Sequence, residues 1–242
     1  MQHAIRAYPT TGFVIFTQSH IQNKMENILK LEPPGTLQNQ SYERIKALLI
    51  SGQLEFDEVY SANYFAEILG VSRTPVREAL LQLTAEGFFV SLRGRGFKIK
   101  EFSAKEIQDF FEARKMIEAY VIEQLVDEVG EEDLKPLDDS LEQMINDIKN
   151  SGTYNFLEAD KSFHMKLIHR YENSLLESIM GNIRDFISIL GQKALASPGR
   201  VQEVIQEHQD ILEALHQKNK VAAVNAIKHH LDATEKSLLE NL

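Results

Sequence analysis

The chain has no cysteine among its 242 residues. This absence excludes disulfides, thiolate zinc sites and cysteine nucleophiles, and it fits a reducing cytoplasm. No apolar run approaches the length needed to cross a membrane, and the apolar stretch TGFVIFT is short and lacks the small-residue cleavage site of a signal peptide. Internal repeats and low-complexity tracts are also absent. We therefore expect a cytoplasmic protein with no membrane partner.

Positive charge is scarce, because the chain carries a formal net charge of −10. The deficit is concentrated in residues 101–242, which hold 15 basic and 27 acidic side chains, whereas residues 41–100 hold 8 basic and 7 acidic ones. Global charge bears on solubility, while the local placement of charge decides phosphate binding. The near-neutral segment therefore stays compatible with nucleic-acid binding.

The stretch LGVSRTPVREALLQLTAEGF predicts a short turn that leads into an amphipathic helix over 74–87. Gly70 suits the end of a preceding helix, since a left-handed residue there has no Cβ penalty. Ser72 or Thr74 can cap the new helix, and Pro75 falls in its first turn, where the missing N–H costs nothing.

Arg73 and Arg77 are four residues apart at the start of this helix and therefore share a face. Two helices joined by a short turn, with arginines at the start of the second, are typical of DNA-binding helix-turn-helix proteins. The alternative is an ordinary surface helix with solvated arginines. The following sequence FFVSLRGRGFKIKEF predicts a two-stranded hairpin, or wing, with Arg95 at its tip. Arg95 would enter a minor groove or, alternatively, simply face solvent.

The run SRTPVREALLQLTAEGF followed by RGRGF resembles the winged helix-turn-helix of the GntR family of bacterial transcription regulators, over about residues 40–100. The resemblance implies a double-stranded operator DNA as partner. We expect Arg73 and Arg77 to carry most of the recognition, with Thr74 and Arg95 in support. Asn63 stands where many members of that family have a DNA-contacting arginine, so one contact of the family is missing here.

The fold class that follows is mainly α, with three helices and a β-hairpin wing followed by an all-α antiparallel helical bundle. We expect a flexible lead over 1–39, in which Met25 is an alternative translation start that mass spectrometry of the native protein would test. The DNA-binding domain is expected at 40–102 and the bundle at 103–242. The helices predicted from periodicity and from the Ser103/Glu106 capping box are 41–51, 61–69, 74–87, 103–129, 131–150, 153–171, 173–196, 200–217 and 219–240.

Helical spacing places one aspartate and three histidines on the inner faces of three bundle helices, namely Asp160, His164, His208 and His230. A buried carboxylate is costly unless something compensates it. One oxygen and three imidazole nitrogens suit zinc, and also nickel, manganese or iron, with coordination positions left for water or a ligand. The alternative for each histidine is a hydrogen-bonded core residue. His229 points away from the inner face and is left out.

The patterns D-x-x-F-H, E-H-x-x-I-L-x-A-L and H-L resemble the FadR C-terminal domain, the effector-sensing bundle of the FadR branch of the GntR family, over roughly 103–240. In its metal-containing members the positions that match Asp160, His164, His208 and His230 are the ligands. The presence of all four argues against the branch members that lack metal and bind acyl-CoA.

Arg114 and Glu118 also fall on an inner helix face. Arg114 is either a fork for a small organic-acid effector bound at the metal or half of a local ion pair with Glu118.

The sequence thus predicts a homodimeric transcription regulator in which a carboxylate, bound at a divalent metal, changes the spacing of two DNA-reading heads. One alternative is a structural metal that clamps the bundle with no effector. A further alternative is a metal-dependent hydrolase, against which the chain offers no separate general base or nucleophile.

Overall fold

The computed structural model describes residues 36–150 and 153–242. The predicted flexible lead up to residue 35, with the alternative start at Met25, lies outside the described residues. In chain order the elements are α1 (Leu37–Ile50), β1 (Val59–Tyr60), α2 (Ala62–Leu69), α3 (Arg73–Ala85), β2 (Phe89–Leu92), β3 (Gly96–Ile99), α4 (Ala104–Leu125), α5 (Glu131–Asn150), α6 (Thr153–Arg170), α7 (Ser174–Ala194), α8 (Arg200–His216) and α9 (Lys220–Glu240).

The first three helices pack around one apolar core, and α1 and α3 make most of their contacts with each other. α1 begins at Leu37, four residues before the predicted start, because the Thr36 side chain caps it by accepting a hydrogen bond from the Asn39 N–H. Gly70 ends α2 in the left-handed conformation at φ 66°, as its position predicts. Ser72 occupies the N-cap position of α3 but forms no side-chain cap hydrogen bond.

The hairpin predicted after α3 is present, and a third strand extends it. The sheet order is β1-β3-β2, with antiparallel pairing throughout. Tyr60 of β1 lies opposite Phe97, and Gly96 approaches the Tyr60 carbonyl so closely that a Cβ there would lie 2.5 Å from that oxygen. The sheet therefore fixes where the tip between β2 and β3 stands.

The second core lies within the six helices from α4 onward. Ser103 caps α4 through the predicted capping box, since its hydroxyl accepts from the Glu106 N–H and the Glu106 carboxylate accepts from the Ser103 N–H. α4 ends at Leu125, short of the predicted 129. α9 packs on α4, α8 and α7, and α6 packs on α5, α7 and α4. This packing brings the inner faces of α4, α6, α8 and α9 to one place.

The mostly helical architecture confirms the predicted fold class, a winged helix-turn-helix followed by a helical domain. Helix α7 belongs to both cores, because its Ile189 packs among the residues of the first core while Ile183, Ile187 and Leu190 pack in the second. Among the described helices, none combines the length and the apolar content that a membrane crossing needs.

Candidate metal centre and nucleic-acid interface

Four side chains from α6, α8 and α9 converge at the centre of the bundle. These are the predicted Asp160, His164, His208 and His230, and each offers one ligand atom that lies within 4.8 Å of all the others. The Asp160 Oδ1 lies 3.3 Å from the His208 Nε2 and 3.7 Å from the His164 Nε2, and the His164 Nε2 lies 3.2 Å from the His230 Nε2. Ligands of a tetrahedral zinc ion stand roughly 3.4 Å apart, given metal–ligand distances of about 2.1 Å. The spacing therefore fits one small cation.

Each histidine is oriented by an acceptor on its other ring nitrogen. The Nδ1 of His208 lies 2.8 Å from the carbonyl of Val204, which can only accept, so that nitrogen carries the proton. The Nδ1 of His164 lies 2.5 Å from the Glu118 carboxylate, and the Nδ1 of His230 lies 2.8 Å from the Glu207 carboxylate. Rings held in this way by acceptors on Nδ1 direct their Nε2 atoms toward one another.

Converging lone pairs need a cation between them. Burial holds the pKa of His208 well below its ordinary value, and the neighbouring His230 adds to this effect; burial also lowers the pKa of His230. Both rings are therefore neutral acceptors at neutral pH. The buried Nε2 of His208 has no hydrogen-bond partner among the described residues, and an unsatisfied buried acceptor costs about 1–3 kcal/mol. A divalent cation would satisfy this atom and remove the repulsion, so the residues fit a metal.

Asp160 is held for this role by Arg184, a residue that sequence reasoning missed. The Arg184 Nη2 donates to Oδ2 of Asp160, which leaves Oδ1 facing the histidines. Burial alone would raise the pKa of Asp160, but the charge of Arg184 outweighs burial and holds the pKa well below its usual range. The signal was present, because Arg184 shares the helical spacing of the buried Met180, Ile187 and Gly191.

Two glutamates join the histidines to buried arginines. Glu118 accepts from the Nε of Arg114 at 2.7 Å and also orients His164. Glu207 accepts two hydrogen bonds from Arg200, at 2.5 and 2.8 Å, and also orients His230. Burial opposes ionisation of Glu118, but Arg114 outweighs it and lowers the pKa of Glu118.

Arg114 has donors left over. Its side chain is completely buried, and its Nη1 and Nη2 have no hydrogen-bond partner in the described part of the chain. Burial lowers the pKa of this guanidinium, although Glu118 opposes the shift. The predicted ion pair with Glu118 thus exists but uses only one of three nitrogens, so the two interpretations of Arg114 are compatible.

The buried charges around the centre balance before any ion is added, since three arginines face three carboxylates: Arg114, Arg184 and Arg200 against Glu118, Asp160 and Glu207. A divalent cation would leave two positive charges uncompensated in a poorly solvated interior. Such an excess favours an anion. The exposed His229 stays outside this centre, while His169 and His216 pair with Glu177 and Asp138 at the surface.

The predicted DNA-contacting residues are all exposed on the surface of the N-terminal part of the chain. Arg73, Thr74 and Arg77 are exposed in the first turns of α3, and Arg95 is exposed at the hairpin tip. Within residues 36–150 and 153–242, none of the three arginines forms an ion pair. Asn63 is exposed near the start of α2. Free guanidinium groups at the start of the second helix of such a pair are placed to meet base edges or phosphates.

Comparison with known proteins matches both halves of the chain. Residues 37–99 match the family described as bacterial regulatory proteins, gntR family, and residues 109–233 match the FCD domain. The second match alone spans half of the chain. The chain belongs to the GntR regulators that carry an FCD domain.

Individual relatives agree with this family. The uncharacterized HTH-type transcriptional regulator YdhC of Bacillus subtilis is 28% identical over 205 residues, which cover 84% of this chain and 91% of the relative. The gluconate operon transcriptional repressor of the same organism is 26% identical over 197 residues, which cover 79% and 80%. A GntR transcriptional regulator from Rhodococcus sp. RHA1 has the same fold, with a TM-score of 0.76 at 18% identity over 86% of this chain and all of that one.

This GntR/FCD protein is therefore a transcriptional regulator, and its helix-turn-helix implies DNA binding. Its families and relatives are regulators, not enzymes, so the hydrolase alternative is set aside.

Proposed function

We propose that this GntR/FCD regulator binds a divalent metal and a small organic acid together in its FCD domain, and that the acid changes the affinity of the winged helix-turn-helix for operator DNA. The observation that carries the proposal is the combination of three convergent imidazole nitrogens with the two unpartnered nitrogens of Arg114 in one buried centre. The four side chains Asp160, His164, His208 and His230 support assignment to the metal-containing FadR branch of the family.

Zinc suits the donor set best. Three imidazoles and one carboxylate oxygen, set near tetrahedral spacing, match the ligands and geometry that zinc prefers. Nickel, manganese and iron bind the same donor types. With four protein ligands, an acid would enter by expanding the coordination shell or by displacing one ligand. Bound there, the metal would supply a positive charge and an electrophilic position for one carboxylate oxygen.

Arg114 would receive the second part of the acid. Its two free nitrogens form a fork that matches the two oxygens of a carboxylate. The Nε of Arg184 also lacks a partner among the described residues and lies in the same charged cluster. A metal and two arginines favour an acid with more than one oxygen donor, such as a hydroxy acid. Gluconate is a natural first probe, since one relative is named the gluconate operon repressor.

The DNA-reading head would work as half of a homodimer. One recognition helix reads only a few base pairs, so operator-scale specificity takes two copies on half-sites that are spaced by DNA geometry. An acid that binds one dimer arrangement more tightly than the other would change the spacing of the heads.

The second candidate is a metal that only clamps the bundle. Burial favours it, because the side chains of His164, His208 and Arg114 have no exposed surface and those of His230 and Glu118 only 2% each. An acid would need an opening to reach these groups. In this case the metal would stabilise the fold and leave DNA affinity independent of any acid.

A mobility-shift titration distinguishes a metal that binds an acid effector from a metal that only stabilises the bundle. The zinc-loaded protein would be titrated against duplex DNA that flanks its own gene, at fixed salt, without and with gluconate, lactate, citrate and chloride, and again after chelation. We expect one acid to change the operator affinity at least fivefold in the loaded protein and to do nothing after chelation. Arg114→Lys should weaken the acid response while keeping the positive charge.

Three outcomes would contradict the proposal. If the protein binds no duplex DNA at low salt, the proposed DNA-binding role is wrong. Equal metal content in the wild type and in His208→Ala would contradict the metal site. A loss of thermal stability on chelation with no response to any acid favours the clamping metal.

A further inference from the structure

Three consecutive residues of α7 reach three different partners. Arg184 turns inward and donates to the metal-site residue Asp160. Asp185 binds the Nζ of Lys46, in α1 of the DNA-binding part, at 2.6 Å. Phe186 stacks on Phe88, with ring centroids 4.5 Å apart. Successive helical residues point about 100° apart, so one short stretch of helix can face the bundle and the DNA-binding part together.

The stack of Phe186 on Phe88 connects α7 to α3, the recognition helix of the helix-turn-helix. Phe88 follows the end of α3 by three residues, and its N–H donates to the Leu83 carbonyl at 2.9 Å, which fixes it against that helix. On its other side Phe186 stacks on Phe110, with centroids 5.0 Å apart and ring planes 10° apart. Phe110 lies one turn before Arg114 on α4. The ring of Phe186 is therefore held between the recognition helix and the helix that carries Arg114.

The ionic contact leads back to the metal site. Asp185 also accepts from the Nζ of Lys161 at 2.5 Å, and Lys161 is the residue after Asp160 on α6. The three side chains keep only 12% (Asp185), 16% (Lys46) and 23% (Lys161) of their surface exposed. Two adjacent ion pairs thus tie α6 to α7, Asp160–Arg184 on the inside and Lys161–Asp185 on the outside. Asp185 of the outer pair also binds Lys46 of α1.

We propose that Asp185 and Phe186 are positioning residues that couple occupancy of the metal centre to the placement of the recognition helix. The proposal rests on the proposed function, because it needs the metal bound in the FCD domain, and it adds that the metal by itself changes DNA affinity. A cation at Oδ1 of Asp160 shares that carboxylate with Arg184. An adjustment of Arg184 would act on the same turn of α7 that holds Lys46 and Phe88. Packed side chains transmit such shifts because they have few alternative arrangements.

Other contacts agree with this role for α7. Ile189 packs in the core of the DNA-binding part, and the Nζ of Lys193 lies 5.7 Å from the ring centre of Phe56. A surface cleft of 260 Å³ lies between α1, α6 and α7 beside Asp185.

The test measures one ratio, the DNA dissociation constant of the chelated protein divided by that of the zinc-loaded protein. The duplex is selected from a random-sequence library, with zinc and without it, so that no operator need be known. The variants are Asp185→Asn, which keeps the shape but loses the charge, and Phe186→Leu, which keeps an apolar side chain but loses the stack. Asp232→Asn is the matched control, since Asp232 pairs with Lys115 elsewhere on the bundle at 2.5 Å.

We expect a ratio that departs from one by about 5- to 150-fold in the wild type and in the control. Both α7 variants should bring the ratio within twofold of one while their zinc affinity, circular dichroism and DNA affinity in the chelated state stay at wild-type values. A merely structural role would not remove zinc dependence alone. A wild-type ratio away from one with unchanged ratios in both α7 variants overturns this inference. A wild-type ratio of one also overturns it, whereas the proposed function is overturned only when no acid changes the operator affinity of the zinc-loaded protein.

Discussion

Arg77 is exposed in the first turns of α3 and, among the described residues, has no ion-pair partner. Its guanidinium is therefore free to bind a base edge or a phosphate. We expect Arg77→Ala to weaken operator binding by roughly 1–3 kcal/mol if the contact is to a base edge, and to relax specificity at one position. Fluorescence anisotropy at fixed salt measures this. Lys236→Ala, on the exposed face of α9, is the control and should bind like the wild type; equal binding by Arg77→Ala would rule out the contact.

Glu207 is the residue whose charge holds both Arg200 and His230. Because the partner of a ligand histidine sets its orientation and basicity, we expect Glu207→Gln to lower zinc affinity roughly 10- to 100-fold with the fold intact. Competition with a zinc-binding dye measures this. The matched control is Glu203→Gln, since Glu203 also contacts Arg200 but is 65% exposed. If Glu207→Gln binds zinc as tightly as Glu203→Gln and the wild type, the Glu207–His230 pair has no role in zinc binding.

For single residues, the sequence was most informative where a polar side chain falls on the apolar face of a helix. An aspartate or a histidine on an apolar stripe is unexpected, and that conflict pointed to the four side chains that converge here. Arg184 carried the same conflict on α7. The partners of the imidazole Nδ1 atoms could not be predicted, because Glu118 and His164 are 46 residues apart and only tertiary packing brings them together.

Among the secondary-structure elements, the wing depends on one close approach between backbones. Gly96 has φ +136° and lies against the Tyr60 carbonyl, whereas Gly94 has φ +71° and open space around its Cα. We expect Gly94→Ala to destabilise the fold by about 1 kcal/mol through its left-handed backbone alone. Gly96→Ala should cost more, because β1 must move as well. Urea unfolding compares the two variants, and an equal or smaller loss for Gly96→Ala would show that β1 does not hold the wing.

The start of α4 should respond to acid. A hydrogen bond from Lys100, together with those from the Ser103 N–H and hydroxyl, lowers the pKa of Glu106 to about 2 from 4.5. Since the folded-state pKa lies below the unfolded value, this carboxylate stabilises the fold above pH 4.5 and loses that effect as the pH falls to 2. We expect Glu106→Gln to be less stable than wild type at pH 7, by less than about 1 kcal/mol because the group is partly exposed.

Urea unfolding between pH 7 and pH 3 measures the difference in unfolding free energy between wild type and Glu106→Gln. It should shrink as the pH falls below 4.5. Glu123→Gln, at an exposed position on the same helix, serves as the control. A difference that stays constant over this range would contradict the assigned role of the capping box.

Periodicity and caps located every helix in the described residues, since those signals are local. The largest differences between predicted and observed helix boundaries are at the start of α1, where the Thr36 cap was not recognised, and at the end of α4, where a turn follows Leu125. Strand β1 escaped prediction because a two-residue strand has no periodicity of its own and exists only through its pairing with β3, about 38 residues later.

For the molecule as a whole, a ligand that binds only the folded state adds to its stability. Zinc at 100 times its dissociation constant should raise the free energy of unfolding by about 2.7 kcal/mol relative to the chelated protein. We expect His208→Ala to lose this difference and its metal content while remaining folded. Thermal unfolding with elemental analysis measures both quantities. The control is His229→Ala, an exposed histidine beside His230, and it should behave like the wild type; the same zinc effect in His208→Ala would remove that residue from the site.

The division of charge along the chain agreed with a DNA-binding segment at residues 41–100, and the helix-turn-helix pattern predicted it. The packing of the two parts on each other could not be predicted. Helix α7 reads as one apolar element, and nothing local shows that Ile189 joins the first core while Ile183 joins the second. Such a choice depends on tertiary geometry alone.

The connection between the two parts is very short. Four residues, Lys100 to Ser103, join β3 to α4, and fully stretched they span only about 14 Å. A DNA-binding domain on so short a linker cannot reorient on DNA independently of the helical bundle. The two domains must therefore change orientation together. If an acid acts as proposed, lengthening this linker with glycine and serine should weaken the link between acid binding and DNA affinity, and only the contacts of α7 would then connect the two parts.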